Sequence, residues 1–595
     1  MRLQSSRRAF RRVPTALRTA LFVLAAGFSV VGEPASAGVN YIYVGASAAA
    51  CTATSLAQAL GMAWATAGAD EIRLTRTLTY TNVNLYVHDW DLDDTGMLIV
   101  SGGWDDCLDL SSSGETVLSG SPEQVVVEVA ESGASSTGIF VVLRDLELTG
   151  ANTGVSVGGL SVTTPATVRL ESSVVHGNEH GAAASQGARL EIDGATVVRD
   201  NAAVTPGGLF GGGLVCIDPG TRIALAGTVR DNSVAEGFPW AGGGAYLSDQ
   251  CRLDLEPGAV IEGNSAGAGG GVYVAAGSTL AGGGSGPLEV RISGNTASGG
   301  GGLLVRGTGS VATLQNVRID GNQAIEGAGV HIESGGLVEL RRAPAGDCPD
   351  APRCLTLSGN LLDDAGEGFG SAVFALNGGE FRMFQGFIEG NGGFGDDGWL
   401  IMTYTHDNRV DLEGVQIWNN RTRSVFLISG FSELVGGFLT AAGNRYWDSG
   451  SGSYHDSFAA HADNHSSIRL YTSIWQDHQA FLQTDGSEIH VDCLLLETTA
   501  GTTSAGANML GFDPRFRNAA LGDLSLRPDS PAIDGCDTFL YTPLHADYEL
   551  DERGFDSPTR PDVLGPFDRG ADESPLLFAG GFETGGLAGW SLTQP

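Results

Sequence analysis

Val260-Ile-Glu-Gly-Asn264-Ser-Ala-Gly-Ala-Gly-Gly-Gly271-Val-Tyr-Val274 is followed, one phrase later, by Arg291-Ile-Ser-Gly-Asn295-Thr-Ala-Ser-Gly-Gly-Gly-Gly302-Leu-Leu-Val305. Each copy runs from a β-branched residue through Gly-Asn and a glycine run into a new apolar strand. The first half of the phrase recurs at Asn178, Asn201, Asn232, Asn264, Asn295, Asn322, Asn360, Asn391 and Asn420, roughly 23 to 38 residues apart and mostly near 31. That spacing is the period of a repeat array. Coils stacked at sheet spacing, about 4.8 Å, must turn sharply several times per repeat. The glycine runs at 211–213, 242–244, 269–271 and 299–302 mark one such corner, because glycine takes the φ > 0 conformations a tight corner needs. The asparagines mark another, where each side chain can bond its own turn and its copies above and below. Short strands, sharp corners and stacked neighbours predict an all-β chain folded as a right-handed parallel β-helix. A β-propeller would need four strands in about 40 to 50 residues per blade, which most of these intervals cannot hold.

Working outward, residues 1–37 read as a signal peptide: six arginines flank and precede the apolar run Ala20–Val31, and Ala35-Ser36-Ala37 supplies small residues for cleavage before Gly38. No later stretch is long and apolar enough to cross a bilayer as a helix, so no membrane span is expected in the mature chain. The whole chain carries 33 basic and 69 acidic residues, for a net charge of −36. Lysine is absent, and removing residues 1–37 takes away six arginines and one glutamate, which deepens the acidic excess to 41. Such a surface repels nucleic acid and anionic lipid and suits solubility or divalent cations. Eight cysteines in an exported chain imply an oxidising compartment. Proximity along the chain suggests Cys51–Cys107, Cys216–Cys251, Cys348–Cys354 and Cys493–Cys536. The absence of any CxxC pair argues against zinc.

Residues 38–124 read as an N-terminal cap and first coils. Leu56, Leu60, Ala63 and Trp64 recur at helical spacing behind Thr54 or Ser55 as N-cap. A short helix there would cover the exposed strand edges at the start of the array. Residues 125–511 form the β-helix proper, with a stretch from Arg445 to His465 that is richer in Tyr, Trp, His and Asp than the repeats. Residues 512–573 are proline- and aspartate-rich and form a separate module expected to close the array; residues 574–595 form a tail.

The alternation of the glycine run with Ile-x-Gly-Asn resembles the paired short motifs of polymorphic outer membrane proteins, a β-helical surface family. There the second motif usually carries Phe, and here Phe387-Ile-Glu-Gly-Asn391 comes nearest to that form. Phe512-Asp-Pro-Arg-Phe516, Asp523-Leu-Ser-Leu526, Ser530-Pro-Ala-Ile-Asp534, Asp551-Glu-Arg-Gly554, Arg560-Pro561 and Asp568-Arg-Gly-Ala-Asp-Glu573 resemble the signature of choice-of-anchor Q domain proteins. In that family the signature follows a pectin-lyase-like β-helix. The resemblance implies a secreted bacterial protein, extracellular or on the outer cell surface, with variable anchoring and no assigned catalysis. Gly581-Phe-Glu-Thr-Gly585 with Trp590 is similar to a C-terminal segment of exported proteobacterial proteins. The autotransporters among β-helical surface proteins continue into a membrane barrel, and self-export by that route is not expected of a chain ending at Pro595.

The chemistry is less legible. Glycoside hydrolysis needs two carboxylates about 5 to 9.5 Å apart, and so acidic a chain will place such pairs by chance. The polygalacturonase-type set is not found: Asp105-Asp106 lies near the cap, His176-Gly177 at a repeat corner, and there is no lysine. The best isolated candidates are a polar loop set, His455, Asp456, His461, Asp463 and His465, near Trp447 and Tyr454, which could bind a metal or act as acid and base. Asp547, Asp551, Asp556, Asp562, Asp568 and Asp572 could hold calcium, the one cofactor the composition suggests. The expectation is an exported, non-catalytic cell-surface or secreted rod, adhesin-like or carbohydrate-binding, monomeric, with polysaccharide or a host or neighbouring cell surface as partner. A polysaccharide lyase or glycoside hydrolase on the pectin-lyase-like fold is the alternative, on fold analogy alone.

Overall fold

The structure, a computed structural model, describes residues 39–573 except 67, 89–96, 110, 132–137, 160–164, 205–210, 236–240, 284–287, 344–352, 364–368, 394–397, 538–543, 545, 550 and 555–563. The expected signal and C-terminal tail lie outside the described residues, as do Cys348, Asp556 and Asp562.

Three long parallel sheets wind into a right-handed β-helix. In one coil Val174–His176 lies in a 16-stranded sheet (sheet I), His180–Ser185 in a 14-stranded sheet (sheet II) and Arg189–Ile192 in a 17-stranded sheet (sheet III). Val197–Arg199 then returns to sheet I, in register with Val174–His176. The strands are short and alternating, so one side of each faces the interior. In sheet III Leu190, Ile192, Ile223, Leu225, Leu253 and Leu255 point inward and are buried, whereas Arg189, Glu191 and Arg222 project outward. Parallel pairing sets each inward residue above its counterpart, Leu190 on Ile223 and Ile192 on Leu225. The result is a continuous apolar column, each fully buried side chain contributing about 1.5 to 3 kcal/mol.

The corner between sheets I and II is polar, and an asparagine ladder fills it. The side chain of Asn264 donates to Asn295 Oδ1 at 2.9 Å and to the Val229 carbonyl at 3.1 Å. Its Oδ1 accepts the Asn232 side chain and backbone N–H, each at 3.0 Å. The same pattern links Asn178 through Asn420 and then continues to Asn444, a rung whose small predecessors Ala441 and Ala442 hide it in the sequence. The facing glycines are required by close approach: a Cβ on Gly271 would sit 2.5 Å from the Gly302 carbonyl oxygen.

The predicted cap helix is present at Leu56–Ala63, with Ser55 Oγ accepting the Gln58 N–H at 3.2 Å. Ala59, Leu60 and Ala63 close over the end of the core. Cys51–Cys107 pins the segment before this helix to the turn at 105–107, with Cα atoms 5.1 Å apart. Cys216–Cys251 joins successive coils, from the end of a sheet II strand to the start of the next sheet III strand. Cys493–Cys536 ties the late coils to the C-terminal module. Cys354 is disulfide-bonded as well, and the pairing suggested for it involves Cys348, outside the described residues.

The described part of the module does not simply close the array; it lies along the outer wall of sheet I. Gln385 donates to the carbonyls of Ala546 and Asp547, Trp418 Nε1 to that of Ala519, and Ala571 N–H to Thr440 Oγ1. The reason is in the sheet I strands. Their outward residues in the middle coils include Arg199, Arg230 and Glu262, whereas the late strands add Phe387, Trp418, Ala442, Ile474 and Leu495 beside the polar Glu389, Gln416 and Thr440. Phe387 packs edge-on against Tyr548, and Ala442, Ile474 and Leu495 share a buried cluster with Phe516, Leu524, Leu526, Ala532 and Ile533.

Candidate functional site

The pattern breaks directly after Asn444. Arg445–Asp448 and Ser453–Asp456 pair antiparallel as a hairpin, with Arg445 opposite Asp456, Tyr446 opposite His455 and Trp447 opposite Tyr454. Gly452, at φ 65°, makes the tight reversal and returns its N–H to the Asp448 carbonyl at 2.7 Å. Successive residues of a strand point to opposite faces, so one face carries Trp447 and Tyr454 and the other Tyr446 and His455. The Trp447 and Tyr454 rings meet edge-on, 5.1 Å apart, and remain 42% and 53% exposed. The two rings face solvent together on the hairpin, so their contact presents a joint aromatic surface.

Polar groups lie on both faces of the hairpin, Arg445 and Asp456 on the face of this pair and His455 and Asp448 on the opposite one. Arg445 lies 3.5 Å from the Asp456 carboxylate. His455 Nε2 is 2.8 Å from Ser451 Oγ, 3.1 Å from Ser453 Oγ and 3.7 Å from the Asp448 carboxylate. Hydrogen bonds from Ser451 and from the Gly450 N–H hold the Asp448 carboxyl below its ordinary pKa, so it stays an anionic acceptor.

The structure separates the five polar residues singled out in the sequence. His455 and Asp456 are on the hairpin. His461 and Asp463 follow on Phe458–Asp463 in sheet II, where His461 lies in register between Leu427 and Leu482 and burial pushes its pKa down. Asp463 accepts a hydrogen bond from Thr484. His465 turns the next corner and stacks on Phe431, ring centroids 5.1 Å apart. Among the described residues no group of three or more His, Cys, Asp or Glu side chains is placed to hold a metal ion.

Three aspartates of the C-terminal module, Asp547, Asp568 and Asp572, accept backbone N–H groups. Asp547 accepts backbone N–H groups of Glu549, Asp551 and Glu573 at 2.8 to 2.9 Å. Asp572 accepts the Leu526 N–H at 2.7 Å and Asp568 that of Asp534 at 2.8 Å. Arg553 lies among them, 3.9 Å from Glu573, its guanidinium 4.0 Å above the Phe438 ring. Burial pushes Asp547 and Asp572 above the usual carboxylate range.

The outer face of sheet III carries ion pairs between neighbouring coils. Arg144 pairs with Glu171, Arg169 with Glu191, and Arg409 with Glu433, at 2.7 to 3.0 Å across neighbouring coils. Exposed pairs of this kind stabilise little, but they neutralise the arginines that a polyanion would otherwise meet. Two cavities open on this face, about 380 Å³ beside Arg169, Arg189 and Arg222, and about 420 Å³ beside Arg469, Tyr471, His490, Asp492 and Ser504. The latter group drew no attention in the sequence because its members come from three different coils. No protein-family model matches the chain, and no curated protein matches it. Among the described residues no helix is long and apolar enough to cross a membrane.

Proposed function

We propose that this chain is an exported cell-surface or secreted β-helical protein, adhesin-like and non-catalytic at its hairpin, that binds polysaccharide. The observation that carries the reading is the exposed Trp447–Tyr454 pair on a hairpin that interrupts an otherwise parallel solenoid. Aromatic faces accept the apolar faces of sugar rings, while Asp456 and Arg445 on the same face offer an acceptor and donors to hydroxyl groups. The ion-paired arginines of sheet III favour a neutral over a polyanionic glycan. The disulfides Cys51–Cys107, Cys216–Cys251 and Cys493–Cys536 are consistent with an oxidising compartment outside the cytoplasm. The resemblance of the C-terminal phrases to choice-of-anchor Q proteins supports the same placement.

Affinity electrophoresis through gels containing neutral polysaccharides tests the reading. Retention by at least one glycan is expected, and Trp447→Ala with Tyr454→Ala should abolish it while leaving the melting temperature unchanged. Failure of the wild-type chain to bind any glycan, or full retention of the double variant, would overturn the proposal.

A further inference from the structure

The cavity at the late end of sheet III is lined by a row that the coil register creates. Arg469 lies directly beside His490 on the next coil, and His490 beside Ser504 on the coil after. Tyr471 and Asp492, also cross-coil neighbours, form the adjacent row. Ser504 Oγ is 2.7 Å from His490 Nδ1, and the other ring nitrogen, Nε2, is 3.1 Å from the Glu488 carboxylate. A hydroxyl, an imidazole and a carboxylate joined in that order meet the geometric requirement for an activated nucleophile. The imidazole presents Nδ1 to the serine and Nε2 to the carboxylate, which serves equally well: one nitrogen must accept while the other donates. None of the three is needed to close the core, since Ser504 is exposed and His490 projects outward from its strand.

We propose that Ser504, His490 and Glu488 form a hydrolytic site for short acyl esters. As Ser504 Oγ adds to the ester carbonyl carbon, its proton passes to His490 Nδ1 and Glu488 holds the resulting imidazolium through the Nε2–H. The carbon–oxygen bond to the leaving alcohol breaks, and that oxygen takes the proton from Nδ1. Water then adds to the acyl–serine, giving a proton to Nδ1; the bond to Ser504 Oγ breaks and the proton returns to it. The sum is ester plus water giving acid plus alcohol. The Arg469 guanidinium, which is ion-paired with Glu433, lies in the same cavity lining and places positive charge near the developing oxyanion. An open cavity of about 420 Å³ has room for an acetyl or similarly short acyl group. This inference goes beyond the binding reading and does not rest on it.

The test uses the full disulfide-bonded chain, a fluorophosphonate probe with peptide mapping, and p-nitrophenyl acetate hydrolysis. The expected result is a phosphonyl adduct on Ser504, with hydrolysis slowed about 10²–10⁴-fold in both Ser504→Ala and His490→Ala. Ser504→Ala should melt as the wild type does, since the hydroxyl is exposed, which separates lost chemistry from lost folding. Absence of an adduct at Ser504, or unchanged hydrolysis in a folded Ser504→Ala chain, overturns the site. Neither result depends on glycan retention by the Trp447–Tyr454 hairpin, so the two proposals fail separately.

Discussion

The side-chain amide of Asn444 donates to Nε2 of His478 at 3.2 Å, and with that contact the asparagine ladder ends on a histidine. Ile474-Trp-Gln-Asp-His478 occupies the place in its coil that Gln416-Ile-Trp-Asn-Asn420 occupies two coils earlier. The histidine thus takes the position of one more asparagine. To accept from Asn444 its Nε2 must be unprotonated, and burial pushes its pKa down to about 4.

His478 should therefore make the late coils acid-sensitive. Its folded pKa, about 4, lies below the unfolded value of 6.5. The unfolded chain binds the proton first, and stability is lost as pH falls from 6.5 towards 4, by up to about 3 kcal/mol. The buried carboxylates Asp547 and Asp572 have raised pKa values and act in the opposite direction, so the informative quantity is a difference. His478→Asn, which extends the ladder by one rung, should melt higher than the wild type at pH 4.5 and by a smaller margin at pH 7.

In the middle of the ladder Asn264→Ala should be severe for a single polar truncation. It leaves the Asn232 amide and backbone N–H, the Val229 carbonyl and Asn295 Oδ1 each short of a partner. At about 1 to 3 kcal/mol for an unsatisfied buried group, the loss should be roughly 3 kcal/mol or more. Thermal melts read it, and a variant melting within a degree of wild type would contradict the ladder's stabilising role.

Gly271→Ala tests the facing corner. Its Cβ would lie 2.5 Å from the Gly302 carbonyl oxygen and 2.9 Å from the Ile292 side chain. Both neighbours belong to the next coil, so the clash can be relieved only by spreading the stack, and overpacking of this kind costs about 1 to 3 kcal/mol. Hydrogen exchange should show the strain concentrated in the adjoining coils, because contacts in a solenoid run between neighbours.

Arg553 and Glu573 are each 1% exposed where the module meets sheet I. Arg553→Ala removes a hydrogen bond to the Ala571 carbonyl at 2.9 Å and the guanidinium above Phe438, and strands buried carboxylates. Breaking one side of such a buried pair costs about 3 to 5 kcal/mol. Limited proteolysis should release the module region of the variant first, while the coils before Phe387 stay protected.

Part of the site was legible as an interruption rather than as chemistry. The aromatic and polar stretch from Arg445 to His465 stood out against the repeats, but its folding into a hairpin depends on the turn at Ser449–Gly452 pairing two four-residue strands. That pairing places Trp447 against Tyr454 and sends His461 and His465 elsewhere. The Ser504–His490–Glu488 arrangement gave no signal at all. Late coils shorten irregularly, and a serine 14 residues beyond a histidine becomes its neighbour only through register.

By itself the sequence determined the solenoid. A repeated β-branched pair, a Gly-Asn corner and a glycine corner are local requirements, and each repeat meets them with its own residues, so period and composition suffice to read them. The sequence also fixed the cap helix, through Ser55 and the apolar spacing behind it. Only the tertiary structure decided where the C-terminal module lies, how far the asparagine ladder runs and which side chains share a face. Those depend on the lengths of the intervening turns, which decide which residues outside the repeated corners come to lie beside one another on neighbouring coils without altering the pattern within either.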